Sequence, residues 1–380
     1  MSELLREMFS GVFALDYKDF IMYAIGLLLI YLAIKKDYEP MLLLPIGFGA
    51  ILVNLPFSSV ISYDGHPGVL KVLFDAGIAT ELFPCLIFIA IGAMIDFTPL
   101  FKNPVMIFFG AAAQFGIFAT VIVAILLGYD LPVASAIGII GAADGPTSIF
   151  VGARFAKDYI GPISVAAYSY MALVPIIQPP VIKLLTTKKE RLIRMEYKES
   201  APVSKTVRIL FPISITIIAG ILAPISVPLV GLLMFGNLIR ESGVLERLAK
   251  SAENELANLV TILLGITIGS TMTADKFIRK DTLIILALGL VAFIFDTAGG
   301  VLFAKLVNLF LKTKINPMIG AAGISAFPMS ARVIQRMATK EDPTNFILMQ
   351  AVSANVSGQL GSIMAGGLVL SLVPRLLEIF

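Results

Sequence analysis

The chain has 380 residues, of which 58% are hydrophobic and only 14% charged, with a formal net charge of +3; its mean hydropathy is +0.92. A soluble domain carries roughly a quarter charged residues, and a deficit this deep on a water-facing surface would drive association, so a bilayer is the solvent that suits the composition. The small net charge gives no footprint for nucleic acid, and the one cysteine, Cys85, excludes an intramolecular disulfide and any multi-cysteine metal site.

The N-terminal Met1–Asp19 is mixed in charge and lacks a cleavable signal pattern, so the first apolar segment is expected to act as an uncleaved signal. A span needs about 20 predominantly apolar residues. In chain order the clear candidates are Phe20–Ile34, Leu82–Ile95, Val105–Leu127, Ile160–Leu185, Val207–Leu222, Leu256–Met272, Leu283–Phe310 and Phe346–Leu372. Between them lie apolar stretches too short or too broken to span simply: Met41–Leu55, Leu131–Val151, Val227–Leu238 and Pro317–Met329, the last three rich in Gly and Pro. Exposed to lipid, such backbone would leave polar groups unpaired. These segments must therefore be buried in protein or line a water-filled cavity, as in a transporter or pump. His66 sits in a polar loop and reads as a surface residue; Lys183–Arg208, which includes Lys198, is the densest basic stretch and is expected to be cytoplasmic.

Two stretches resemble one another: GAADGPTSIFVGAR at residues 141–154 and GAAGISAFPMSAR at residues 320–332. Each follows two apolar spans, and the middle spans carry lone polar residues at similar places, Gln114 and Asp296. We read two homologous halves, expected to be inverted repeats with the site where their broken helices meet. The fold class is thus all-α and polytopic, with re-entrant segments and an elevator-type core. The expected divisions are residues 1–80, N-terminal spans and a polar loop; residues 81–185, the first repeat; residues 186–254, the basic loop and linking spans; and residues 255–380, the second repeat.

Asp144 is the one ionisable residue between Asp130 and Arg154. An Asp at the centre of a span costs on the order of 3 kcal/mol on insertion scales. Gly145 and Pro146 break the helix behind it and free carbonyls, and Thr147 and Ser148 add hydroxyls. These are hard oxygen donors suited to a small hard cation. The competing explanation is an Asp capping the helix that restarts at Thr147, and the two are compatible. Its counterpart in the second half is expected to be neutral and oxygen-rich: Asn316–Ser330, with Ser325 opposite the Asp144 turn, and Ser353–Gln359, with Asn355. Asp296 is expected to face the bundle interior as a second ligand, a proton group or the partner of a base such as Lys305. Tyr168 and Tyr170 are equally open between proton donors and core aromatics. Arg is the natural anchor for a carboxylate, but most such arginines snorkel or follow the positive-inside rule, and on the residues alone Arg240, Arg247, Arg332 and Arg336 are discounted as ligands. No P-loop, GxGxxG or serine-triad pattern occurs in the chain.

GAADGPTSIF (141–150), AAYSYMALVPIIQPP (166–180), FGNLIRESGVLERL (235–248) and ANVSGQLGS (354–362) resemble the beta subunits of sodium-translocating biotin-dependent decarboxylases, a family acting on oxaloacetate, methylmalonyl-CoA, glutaconyl-CoA or malonate. The resemblance implies a multi-pass protein of the cell inner (plasma) membrane that decarboxylates carboxybiotin, takes up a proton and exports sodium. It implies carboxybiotin delivered by a biotin carrier protein rather than held covalently here. A carboxyltransferase alpha subunit and a small membrane anchor subunit are the expected partners, with a homo-oligomer of the chain as a further expectation. The important positions carry over onto Asp144, Tyr170, Asn316, Gly320, Ser325, Arg332 and Asn355. In that reading Tyr170, Arg332 and Ser325 serve catalysis. Arg332 and Asn316 meet carboxybiotin, while Asp144, Asn355, Asn316, Gly320 and Ser325 hold sodium. The alternative on the residues alone is a secondary sodium- or proton-coupled carrier for an organic anion.

Overall fold

The structure, a computed structural model, describes residues 9–195 and 202–379. Residues 1–8, 196–201 and 380, among them Lys198 of the basic stretch, lie outside the described residues. The larger helices are α1 (Tyr17–Lys36), α2 (Pro40–Val53), α3 (Leu82–Met94), α4 (Ile107–Ala113), α5 (Phe115–Leu126), α6 (Leu131–Gly138), α7 (Gly145–Phe155) and α8 (Ile160–Leu185). They are followed by α9 (Lys205–Leu222), α10 (Val227–Ser242), α11 (Ala257–Ser270), α12 (Lys280–Phe310), α13 (Met318–Ala321), α14 (Met329–Glu341) and α15 (Leu348–Ile379). Among the described residues six helical stretches are long and apolar enough to cross a membrane, and Val69–Ile78 with α3 makes a further, bent pair. The chain is a multi-pass membrane protein. His66 lies in a two-residue-stranded exposed hairpin, Ser62–Tyr63 against His66–Pro67.

Local chemistry sets many of the ends. Asp16 and Asp19 form a reciprocal capping box at the start of α1, and Lys35 and Lys36 fill its last turn against the helix dipole. Val227–Leu238, expected to be broken, belongs instead to the continuous helix α10: Pro228 stands in its first turn, where a missing N–H costs nothing. The interior prolines of α8, Pro175, Pro179 and Pro180, leave that helix continuous through to Leu185.

The order of elements recurs. α1 and α2, a π-helical segment (Phe74–Ile78) leading to α3, the pair α4/α5, the broken α6/α7 and the long α8 form one series. α9 and α10, a second π-helical segment (Ala252–Leu256) leading to α11, the continuous α12, the broken α13/α14 and the long α15 form the other. The series exchange partners, because α2 packs on α11 of the second and α10 packs on α3 of the first. Both crossings use a glycine pair: a Cβ on Gly49 or Gly269, or on Gly92 or Gly236, would collide with a carbonyl of the facing helix. Both also carry an asparagine that takes up carbonyls where the partner helix ends. Asn237 donates to Ile95 O at 2.9 Å and Asn54 donates to Met272 O at 2.8 Å.

On the side of the basic stretch, ion pairs lock the loop to the helix ends. Arg191 pairs with Glu341 at 2.7 Å, Arg194 with Asp342 at 2.7 Å and Lys305 with Glu190 at 3.2 Å. The Thr344 hydroxyl and N–H, joined by Arg194, hold the Asp342 carboxyl down at about 2, so this clasp stays charged at physiological pH.

Candidate functional site

Two helix breaks meet in the interior. After α6 the chain tightens into a 3-10 turn, Ile139–Ala142, and Ala143 takes the left-handed conformation at φ 52°. That conformation is costly for a residue with a Cβ and is tolerated where the surroundings impose it. Asp144 then caps α7, with Pro146 in the first turn. In the second series the chain leaves helix after Ala321 and resumes it at Met329. The breaks are bonded to each other: Ser325 N–H donates to Ala142 O at 3.0 Å.

Asp144 is 2% exposed and gathers donors from three elements. Its Oδ2 accepts from Thr147 Oγ1 at 2.7 Å in α7, Ser325 Oγ at 3.3 Å in the second break, and Gln359 Nε2 at 3.3 Å and Ser362 Oγ at 2.8 Å in α15. Its Oδ1 faces the Thr147 N–H at 3.4 Å. Ser362 also lies 2.9 Å from Ser325, and Ser148 Oγ donates to the Asp144 carbonyl at 2.8 Å. Beside this cluster Asn355 Nδ2 donates to Ile324 O at 2.7 Å, while its Oδ1 is buried without a hydrogen-bond partner. No Lys, Arg or His among the described residues forms an ion pair with Asp144. The donor set is therefore a carboxylate, hydroxyls and amides, and the hydroxyls can turn lone pairs toward a cation as readily as they donate to the carboxylate. Nitrogen and sulfur ligands are absent from it, and no group of three His, Cys, Asp or Glu occurs among the described residues. That chemistry fits a hard monovalent or divalent cation bound by oxygen.

Of the positions expected from the sequence, Ser325 and Asn355 come together with Asp144. Asn316 stands at the entry to the second break, where its Nδ2 donates to Arg191 O and Ile193 O, both at 2.9 Å, and ties the basic loop down. Gly320 packs against Gly300 of α12 with no room for a side chain. Arg332 is exposed on α14 and makes no ion pair with a described residue. The Tyr170 hydroxyl donates to the Leu286 carbonyl of α12, and its ring meets Gly289 beside Ile140 of the first break. The Tyr168 ring packs against Gly145, the residue after Asp144, and its buried hydroxyl has no partner among the described residues.

Gln359 and Ser362 are functional candidates that sequence reasoning did not single out. Helical spacing was the available signal, since positions 355, 359 and 362 fall on one face. Asp296 is fully buried: its Oδ1 accepts from the Ile117 N–H at 3.1 Å at the start of α5, beside the Gly116 N–H, while its Oδ2 lies against Gly141 of the first break and has no hydrogen-bond partner among the described residues. Lys305 is not its partner, being committed to Glu190 and to Leu185 O.

The chain's similarity to known proteins agrees with this geometry. The family model for the Na+-transporting oxaloacetate decarboxylase beta subunit matches residues 18–373. The chain is 49% identical over 366 residues to the methylmalonyl-CoA decarboxylase subunit beta of Veillonella parvula, covering 96% of each chain. It is 48% identical over 364 residues to the glutaconyl-CoA decarboxylase subunit beta of Acidaminococcus fermentans, again 96% of each. It is 44% identical over 421 residues to the oxaloacetate decarboxylase beta chain of Klebsiella pneumoniae, with 96% of this chain and 97% of that one covered. A buried, oxygen-rich carboxylate site at the meeting of two helix breaks thus sits in a chain that belongs to the family of sodium-transporting oxaloacetate decarboxylase beta subunits.

Proposed function

We propose that this chain is the membrane subunit of a biotin-dependent decarboxylase complex of the inner membrane, releasing CO2 from carboxybiotin and coupling that release to sodium export. The observation that carries the reading is Asp144, buried with four side-chain donors and no basic partner among the described residues. A buried carboxylate without a countercharge is costly; a sodium ion held by Asp144, Ser325, Ser362 and the unpartnered Asn355 Oδ1 offsets that cost. The family membership disfavours the competing reading of a free-standing carrier for an organic anion.

The reaction itself breaks the carboxyl C–N bond of carboxybiotin. The bonding pair returns to the ureido nitrogen, which takes a proton, and CO2 leaves. Tyr170, Arg332 and Ser325 are the chain's residues proposed to serve this step, with Arg332 and Asn316 on the path of the carboxylate. Asn316 and Gly320 act by fixing the second break: one ties it to the basic loop and the other lets α12 approach it. The two series of helices are proposed to be inverted repeats. The halves read from the sequence, residues 81–185 and 255–380, then extend backwards to take in α1–α2 and α9–α10. Movement of the crossed breaks against α1, α2 and their partners, in elevator fashion, would expose the ion to alternate sides. The carboxyltransferase alpha subunit and biotin carrier named for this type of complex are the proposed partners, with a small anchor subunit and a second copy of the chain as further ones.

The test is Asp144→Asn in the reconstituted complex, which keeps shape and removes the charge. Sodium-stimulated CO2 release and sodium uptake into inverted vesicles are both expected to fall more than about a hundredfold, the scale of losing ~3 kcal/mol of ion binding. Coupled activity at the unaltered level would sink the assignment.

A further inference from the structure

A groove of about 330 Å³ runs between the C-terminal half of α8 and the face of α14, away from the Asp144 cluster. Pro175 and Pro179 of α8 and Met337 of α14 supply an apolar floor, and Lys183, Arg336 and Lys340 stand around it. All three cations are exposed, and none forms an ion pair with a described residue. The one acid in the lining, Glu341, is already matched by Arg191 at 2.7 Å. The groove is therefore electropositive over an apolar base, at a volume that admits a small organic molecule. It also opens on the side of the basic loop, whose Arg191 and Arg194 clasp the end of α14; by the positive-inside rule that side is cytoplasmic.

Directly behind the floor a polar thread leads inward. Gln178 lies between the two prolines on α8; its Oε1 accepts from Ser330 Oγ at 2.9 Å, and its Nε2 donates to Ala321 O at 2.8 Å. Ser330 belongs to the first turn of α14, and Ala321 is the last helical residue before the break that carries Ser325. An occupant of the groove is thus coupled through Gln178 and Ser330 to the backbone of the ion site.

Resting on the decarboxylase reading above, we propose that this groove is the docking site for the carboxylated biotin head. Its carboxylate is met by Arg336 and Lys340, with Lys183 on the opposite wall, and its fused rings lie on the prolines and Met337. Guanidinium recognition of a carboxylate is the strong form of this contact, and the groove serves docking, ahead of the step assigned above to Tyr170, Arg332 and Ser325. An anionic lipid headgroup shares the chemistry of an anion on an apolar body, so the experiment separates the two.

The whole complex is reconstituted in phosphatidylcholine vesicles, and CO2 release is measured against free carboxybiotin and against sodium. Arg336→Gln and Lys340→Glu lie on the exposed rim, where folding is not at stake. Each is expected to raise the carboxybiotin concentration for half-maximal release about tenfold or more, the loss of one good charged contact. Half-saturating sodium should stay within about twofold. Wild-type carboxybiotin dependence in both variants overturns the groove. So does a variant that keeps that dependence and loses only a response to added phosphatidylglycerol, which would mark a lipid site. If the unaltered complex releases no CO2 from carboxybiotin at all, the decarboxylase reading falls and the groove assignment with it, a result distinct from either of those.

Discussion

Asp144 and Asp296 are the two buried aspartates among the described residues, and they are solved in different ways. Asp144 is met by side chains from three elements far apart in sequence: Thr147, Ser325, Gln359 and Ser362. Asp296 is met through Oδ1 by main-chain N–H groups at one place, Gly116 and Ile117, where α5 restarts after the junction at Gln114, and its Oδ2 is left without a partner among the described residues. A hydroxyl can donate to a carboxylate in one state and face a cation with a lone pair in the next, whereas an N–H can only donate. The same residue type is therefore held by adaptable side-chain groups in one case and, through one oxygen, by a helix start in the other. A buried carboxylate in a span is a reason to look for a site, and its partners decide whether there is one.

The sharpest way to break this contrast is to neutralise Asp296 as Asp144 is neutralised above. Asp296→Asn keeps an acceptor for the α5 N–H groups, so its half-saturating sodium is expected within about threefold of the unaltered protein, against a near-total loss for Asp144→Asn. Asp296→Ala instead removes the acceptor that the Ile117 N–H shares with Gln114 O and is expected to cost about 1 kcal/mol, read as a lower melting temperature in detergent without a specific sodium defect. A large rise in half-saturating sodium for Asp296→Asn, with stability unchanged, would make Asp296 a second ion ligand and end the comparison.

A smaller effect is expected within the Asp144 cluster. Ser362→Ala removes the 2.8 Å donor to the carboxylate and the bridge to Ser325. A hydrogen bond to a charged group is worth about 1.5–3 kcal/mol, so half-saturating sodium should rise roughly ten- to hundredfold while maximal release at high sodium is kept. If maximal release collapses instead, Ser362 acts in the chemical step and the cage is more than a binding site.

How much of this was legible beforehand follows from the range of the interactions. Asp144 stood out because a charge in an apolar run has no cheap explanation, and the likeness of residues 141–154 to residues 320–332 pointed to Ser325 across 181 positions. Asn355 was visible as a polar residue in the last span. Gln359 and Ser362 were present in the same stretch, but choosing among its polar residues needs the helix rotation, which only the packing of α15 fixes. The two tyrosines two residues apart fall on different faces of α8, so a motif that spans both cannot say which one meets the break. In the structure Tyr168 meets it at Gly145, while Tyr170 bonds α12 and lies beside Ile140. Val227–Leu238 misled because proline was counted as a breaker without regard to its place in the first turn.

The asparagines at the two glycine-paired crossings carry no local signal at all, because each acts on a helix of the other series. They also give the smallest test of how alike the two halves are. Asn54 makes three bonds, to Ala50 O at 2.7 Å, to Met272 O at 2.8 Å and from Ala274 N–H at 2.7 Å. Asn237 makes one good bond, to Ile95 O at 2.9 Å, and a long one to Gly92 O at 3.4 Å, and Arg240 shares the work through Met94 O at 2.6 Å. Asn54→Ala strands more buried main chain and is expected to cost about 2–3 kcal/mol, against about 1 kcal/mol for Asn237→Ala. Detergent melting of the two variants measures the difference. Equal losses would mean that Arg240 contributes nothing at its end; a larger loss at Asn237 would mean that the α3–α10 crossing is the one that fixes the fold.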